Sequence, residues 1–340
     1  MNFFAAAVVA VLAGLLAAEP VMAAVLKVGP GEALAVPSQA ARVAGDGDTV
    51  AIAPGEYYDC AVWRQDRLTI AGPDDPATPA VLTDTTCQGK AVFVVGGRGV
   101  TIRRLTFARA RVPDGNGAGI RAEGADLTVA DSRFVDNQSA ILVADGVAGT
   151  LAIADSTFER NGAMRGESCV ATLHAAAVAV LRIERSAFLA TRACDVVRAA
   201  AARVEVLDSR FDDGADGASQ RMLAVGGGSL LVRGSRFARG PHSAPPDIAI
   251  ARRHLWGDGG ALEVRDTTLA NATGRPAVLV HNLAGGPVRL GGNRVGAGDV
   301  ELDDSGLWLA RARSLARAAV DDARALAGRA KRAVWRALPF

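Results

Sequence analysis

Seven stretches of the chain repeat one short phrase: an alternating apolar strand, then Ser or Thr, a spacer and a large apolar residue. Leu127-Thr-Val-Ala-Asp-Ser-Arg-Phe134 and Leu151-Ala-Ile-Ala-Asp-Ser-Thr-Phe158 show it plainly, and Leu105-Thr-Phe107 is its least complete copy. From Phe107 the apolar anchor recurs at Phe134, Phe158, Phe188, Phe211, Phe237 and Leu269, at intervals of 27, 24, 30, 23, 26 and 32 residues. A unit this short cannot bury its apolar face alone. Stacked on its own copies it builds a continuous core, so the period predicts a solenoid.

Strand length supports that reading. Runs such as Leu68-Thr-Ile-Ala71, Ala140-Ile-Leu-Val143 and Ala277-Val-Leu-Val280 are three to five residues long and are separated by Gly, Asp and Asn turns. Short strands stacked in parallel fit better than a sandwich, which needs longer strands and hairpins. Val, Ile, Leu and Phe are expected inside, and Arg, Asp, Glu and Thr outside. Half of the 340 residues are hydrophobic but only 5% are aromatic, which suits many thin aliphatic layers. Lys and Arg number 38 against 36 acidic residues, so the charge gives no warrant for a nucleic-acid partner.

The ends break the period. Residues 1–24 read as a signal peptide: Phe3 to Ala18 is apolar apart from Gly14, with small residues at Val21-Met22-Ala23, although no Lys or Arg precedes Lys27. The expected location is secreted or periplasmic, with envelope association in view. Residues 25–56 read as a cap and first coil, with a short helix beginning at Pro37-Ser38, and residues 57–303 as the solenoid. Residues 304–340 read as a basic amphipathic helix with Leu309, Leu315, Val320, Leu326, Val334 and Leu338 interspersed, either capping the solenoid or touching a membrane surface. A monomer is expected.

Cys60 and Cys87, and Cys169 and Cys194, are each about one coil apart. Inter-coil disulfides Cys60–Cys87 and Cys169–Cys194 are the preferred pairing, with four buried thiols as the alternative, and no Cys-x-x-Cys step points to zinc. Asn137, Asn161 and Asn271 follow the apolar anchors and are expected as turn residues that tolerate left-handed backbone. Asp131, Asp155 and Asp208 are expected to recur because the coil recurs.

The cap, the coils and the phrase from Asn116 to Gly124 followed by Leu127 to Phe134 together resemble the right-handed parallel β-helix repeat proteins of bacteria. Gly55-Glu-Tyr-Tyr-Asp-Cys60 and Cys87-Gln-Gly-Lys90 resemble a secreted subgroup of unestablished activity. The resemblance covers roughly residues 25–303 and implies an all-β, pectate-lyase-like fold. Pectate lyases, polygalacturonases, alginate epimerases and non-catalytic adhesins share that fold, so it does not select a reaction.

Chemistry must therefore come from individual side chains. A lyase acting on a uronate needs a cation to neutralise the carboxylate and a base for the adjacent proton. Glu167, His174, Asp195, Arg198, Asp216 and Arg221 fall on successive coils; of these, His174, Glu167, Asp195, Arg198 and Arg221 are the candidate catalytic set. An inverting hydrolase would need paired carboxylates, and Asp212, Asp213 and Asp216 offer them in a turn that otherwise faces solvent. Asp212 with Asp213 is the one Ca2+ pair in view, and no cofactor is expected. His242 and His254 fall in expected loops, His281 in a surface turn, and Trp256 either stacks on a sugar or forms a lid. No phosphate loop, dinucleotide fingerprint, HExxH or Gly-x-Ser-x-Gly turn occurs. Two readings follow: a β-helix that binds a polysaccharide or cell-surface partner through its long face, or a lyase, epimerase or hydrolase acting on an acidic glycan.

Overall fold

A computed structural model describes residues 23–176, 178–253 and 259–306. The expected signal peptide, the C-terminal helix, His254 and Trp256 lie outside the described residues. What is described is a parallel β-solenoid of three long sheets. The first has eleven strands, from Val25–Val28 to Val288–Gly291; the second has nine, from Gly55–Tyr57 to Thr268–Asn271; the third has ten, from Ala61–Trp63 to Val300–Asp303. One coil visits them in turn, as in Leu127–Ala130, Arg133–Val135 and Ser139–Val143.

The repeated phrase is the corner between the first and second sheets. Its apolar residues point inward in register: Leu127 pairs with Leu151, and Phe134 with both Phe107 and Phe158. From Phe107 to Phe237 the anchor rings stack with centroids 4.4 to 5.1 Å apart and planes within 13° of parallel. Aromatic pairs left to themselves favour offset or edge-on contacts. Here the strand spacing of about 4.8 Å sets the interval, so the rings lie face to face. Leu269 closes the column above Phe237.

The Ser of each phrase has a separate task. Ser156 Oγ accepts the Ser132 backbone N–H at 3.1 Å, Ser186 Oγ accepts that of Ser156 at 3.2 Å, and Ser209 and Ser235 continue the ladder. Each of these hydroxyls also donates to the carbonyl two residues back in its own chain, as Ser156 does to Ala154 at 2.7 Å. The corner turns sharply enough to leave an N–H without a strand partner, and a short hydroxyl from the next coil fills the gap.

The residue before that Ser takes the left-handed conformation: Asp131, Asp155, Arg185, Asp208 and Asp266 have φ between 43° and 50°, and Gly234 has 62°. A second left-handed corner follows the second sheet, at Asp84, Arg109, Asp136, Arg160 and Ala190. Asp tolerates this backbone, and an Arg there faces the Asp of the coil before, as Arg185 does Asp155 at 2.7 Å and Arg160 does Asp136 at 3.0 Å. Asn137 and Asn161 depart from the expectation. The left-handed positions are their predecessors, and the two amides turn inward, fully buried, with Asn161 Oδ1 accepting from both the backbone and the side chain of Asn137.

At the N-terminal end the helix Pro37–Val43 buries Ala40 and packs beside Ala61–Trp63, tied by the Ser38 N–H to Asp59 and by Gln65 to the Ala41 carbonyl. It starts where its proline starts, since Pro is suited to the first helical turn. Both expected disulfides are formed, with Cα atoms 5.4 Å apart in each. Cys60 and Cys87 precede neighbouring strands of the third sheet. Cys169 belongs to a small antiparallel hairpin, Ala163–Arg165 against Ser168–Val170, which Cys194 pins to the next coil.

Phe158→Ala opens a void in the middle of the ring column and is expected to cost about 3–5 kcal/mol. Ser186→Ala, which orphans the Ser156 N–H, is expected to cost about 1–3 kcal/mol. Chemical denaturation of the two variants against an exposed control, Arg210→Ala, checks the order; a control that loses as much as Phe158→Ala would contradict it.

Candidate functional site

The outer face of the third sheet and the segment leading into it bring several of the candidate residues together. Its strands alternate, so Ile120, Ile141, Leu173, Val197 and Leu223 fill the core while their successors Arg121, Leu142, His174, Arg198 and Ala224 look outward. The pairing is continuous: Arg121 with Leu142, Leu142 with His174, His174 with Arg198, and Arg198 with Ala224. Two residues further along the strands, Ala176 and Ala200 are paired and leave a low floor beside the row.

Four of the five candidate residues meet here. Asp195 is fully buried at the entrance to the strand Val197–Ala200. Its carboxylate accepts from Arg221 Nε at 2.6 Å and Nη2 at 2.9 Å, and from Arg198 Nε at 2.9 Å. Arg198 also donates Nη2 to Cys194 Sγ at 3.1 Å, while its side chain stays 39% exposed. Asp195 therefore acts as an anchor that aims two guanidinium groups, and a buried acid so paired is not free to serve as a base. His174 is half-buried beside Arg198. Burial pushes its pKa below the ordinary histidine value, Arg198 and Arg121 push it further down, and Asp145 and Asp195 oppose them. The imidazole is neutral at neutral pH.

Glu167 stands apart. It occupies the exposed turn of the hairpin and takes no ion pair among the described residues. Asp216 is likewise exposed in the loop before Ser219. The expected cluster of six thus reduces to His174, Asp195, Arg198 and Arg221.

The carboxylate pair Asp212 and Asp213 is not formed. Asp212 binds Arg210 and the Gly214 N–H, whereas Asp213 turns inward, 1% exposed, and accepts from Ser219 Oγ at 2.7 Å and from Ser243. Burial pushes the Asp213 carboxyl up against the effect of those hydroxyls. Asp213 leaves the turn for the interior while Gly214 to Asp216 face solvent as expected, so Asp212 and Asp213 do not converge on a Ca2+. Among the described residues no group of three or more His, Cys, Asp or Glu is placed to hold a metal. His281 also differs from expectation: it lies in the strand Val278–Leu283, on the outward row, 3.7 Å from Asp303.

Two groups escaped the sequence reading. Arg121 sits two strands before His174, with its Nε unbonded and 3.7 Å from Glu123, which in turn accepts from Lys90 at 2.6 Å. The signal was present, because Arg121 is the single charge in the strand Ala118–Ala122. Arg239 and Arg252 are fully buried cations that knit loops together through carbonyls, Arg252 reaching Gly228 at 2.6 Å and Gly285 at 2.9 Å. Nothing in the sequence marks them as internal. Beside the outward row, an open cleft of about 680 Å³ is lined by Asp66, Arg98, Glu123, Asp145 and the glycines between them.

Asp195→Ala strands two guanidinium groups and is expected to cost about 3–5 kcal/mol in a denaturant melt. The lowered pKa of His174 sets the sign of a pH effect: its contribution to stability is present above the unfolded value of about 6.5 and is lost as pH falls through the folded value. In His174→Gln the denaturation midpoint is expected to fall less between neutral and mildly acidic pH than in the parent chain; equal slopes would contradict it.

The sequence matches no protein-family profile and no curated protein. Among solved structures, a PL6 family alginate lyase, AlyGC, shares 16% identity over 81% of this chain, with a TM-score of 0.56, and the match spans 40% of that protein's length. An alginate lyase from Paenibacillus sp. str. FPU-7 shares 13% over 82% of this chain and 98% of its own, with a TM-score of 0.48. A pectin methylesterase from carrot shares 13% over 83% of this chain and 88% of its own, with a TM-score of 0.46. At 16% identity the likeness to AlyGC is one of fold, and it agrees with the register of coils and the stacked core: the chain is a parallel β-helix of the pectate-lyase-like fold.

Proposed function

We propose that this chain is a secreted or envelope-associated protein that binds an acidic polysaccharide along the outer face of its third sheet. The observation that carries the reading is the row Arg121, Leu142, His174, Arg198, in which two arginines stand three strands apart, about 14 Å at the spacing of the sheet, with an apolar and an imidazole side chain between them and small residues beside the row. A polymer lying along the solenoid axis meets one strand after another, so a repeating anion meets a repeating surface. Asp195 holds Arg198 and Arg221 in place before any ligand arrives, which lowers the ordering cost of binding. Arg198 presents a guanidinium, whose planar fork suits carboxylates.

The chain's near-neutral total charge does not oppose this, because recognition is local. Two inter-coil disulfides fit an oxidising compartment outside the cytosol, where such glycans are met.

Affinity gels and calorimetry with polygalacturonate, alginate and a neutral glycan test the reading. Binding to one of the acidic polymers, weakening with salt, is expected. Arg198→Ala and Arg121→Ala are each expected to weaken it by about tenfold or more, the scale of a charge-assisted hydrogen bond. Equal affinity for the neutral glycan, or no loss in either variant, would overturn it.

A further inference from the structure

The two disulfides have unlike surroundings. Cys87 donates its backbone N–H to the Ala91 carbonyl at 2.8 Å and packs with Val62, Ala91 and Val94. Among the described residues no hydrogen bond reaches either sulfur of the Cys60–Cys87 pair. In the other pair Cys194 is 1% exposed, and its Sγ accepts Arg198 Nη2 at 3.1 Å. Cys169 is only half-buried, on a hairpin whose preceding residues, Met164 to Ser168, are all exposed.

That hairpin is bound mainly to itself. Ala163–Arg165 pairs with Ser168–Val170, and Ser168 Oγ donates to the Arg165 carbonyl at 2.9 Å. Among the described residues no hydrogen bond links 163–170 to the rest of the chain, so beyond van der Waals packing the disulfide is what ties it down. The coils on either side do not need the bond. The Thr172 N–H meets the Asp195 carbonyl at 3.4 Å, that of Leu173 meets the Val196 carbonyl at 2.9 Å, and His174 is in register with Arg198.

We propose that Cys169–Cys194 is an exchangeable disulfide, a redox site at which a small thiol attacks Cys169 while Cys194 leaves as a thiolate held by Arg198. The inference is independent of the glycan reading. Access decides which sulfur is attacked, since Cys194 is closed to solvent and Cys169 is not. Charge decides how readily the bond opens, because a guanidinium favours the thiolate and a sulfur that carries negative charge easily is the better leaving group. Arg198 and Arg221 meet at Asp195, so two cations stand against one carboxylate beside Cys194, and the neighbouring His174 is neutral. The surplus charge is positive.

The electrons balance in two steps. A thiolate bonds to Cys169 Sγ, the Cys169–Cys194 bond breaks, and its electron pair goes to Cys194 Sγ. A second thiolate then attacks the sulfur of the bound thiol and releases Cys169 as a thiolate, so two thiols are oxidised to one disulfide and the protein gains the two electrons. Opening the bond frees the hairpin and leaves the coils joined through their backbone.

The full chain is incubated with glutathione at neutral pH without denaturant, quenched with an alkylating agent over a time course, and mapped by peptide mass spectrometry. Glutathione is expected on Cys169 and the alkyl group on Cys194, while Cys60–Cys87 stays closed and serves as the internal control. Arg198→Ala is expected to slow the opening about threefold to tenfold, and Arg198→Lys, which keeps a cation, to slow it less. Arg221 still holds Asp195 in both variants, and a melting curve confirms that they are folded. In the reduced chain, amide exchange is expected to rise across 163–170 and to stay slow in Leu173–Ala176 and Val197–Ala200. Glutathione on Cys194, opening of both disulfides at one rate, opening only in denaturant, or an unchanged rate in Arg198→Ala would each overturn the proposal. So would loss of exchange protection in the flanking strands, which would make the bond a staple of the coils.

Discussion

Coil-on-coil register is the constraint from which the rest of the structure follows. Each layer is a triangle of short strands whose inward side chains meet their counterparts one strand spacing away, so a residue at one position is stacked on the residue at the same position in the next coil. Phe134 on Phe158 on Phe188 is the most visible column, and Ser132, Ser156 and Ser186 form a polar one beside it. The two differ in kind. The ring column removes apolar surface from water, while the hydroxyl ladder satisfies backbone donors that the corner would otherwise orphan. A slip of one residue would break both together, which is why the register is so firmly specified.

This also explains how much was legible beforehand. A period in sequence is the projection of a stack in space, so Phe107 through Leu269 announced the solenoid, and cysteines about one coil apart announced bridges between neighbouring coils. The Ser in each phrase was visible as a recurrence, but its partner is the backbone of another coil, which no local spacing reveals. Asn137 and Asn161 were read as left-handed turn residues because Asn favours that backbone. In the fold the turn falls one residue earlier, and the amides serve as internal donors and acceptors.

Side-chain destinations were harder to foresee where a charge is buried. Asp213 and Asp195 look alike in sequence, each in a polar segment after a strand of the second sheet. One is held by two serine hydroxyls and the other by two arginines, and only the packing of adjacent loops decides which. Glu167 was grouped with His174 because the candidates were expected to fall on successive coils, yet the hairpin carries it to an exposed turn. Arg121 was overlooked for the opposite reason: it is distant in sequence and meets the site only through the order of strands. The solenoid thus turns separation along the chain into adjacency along an axis. The outward row owes its regular spacing to the same register that builds the core, and a buried aspartate fixes the direction of Arg198.

A crystal structure of the chain with a uronate oligosaccharide tests the central claim most directly. The account places the sugar lengthwise on the third sheet, with one carboxylate on Arg198 beside His174 and another towards Arg121. An oligosaccharide seated instead on the outer face of the first or second sheet, or lying across the coils without touching Arg198, would contradict it.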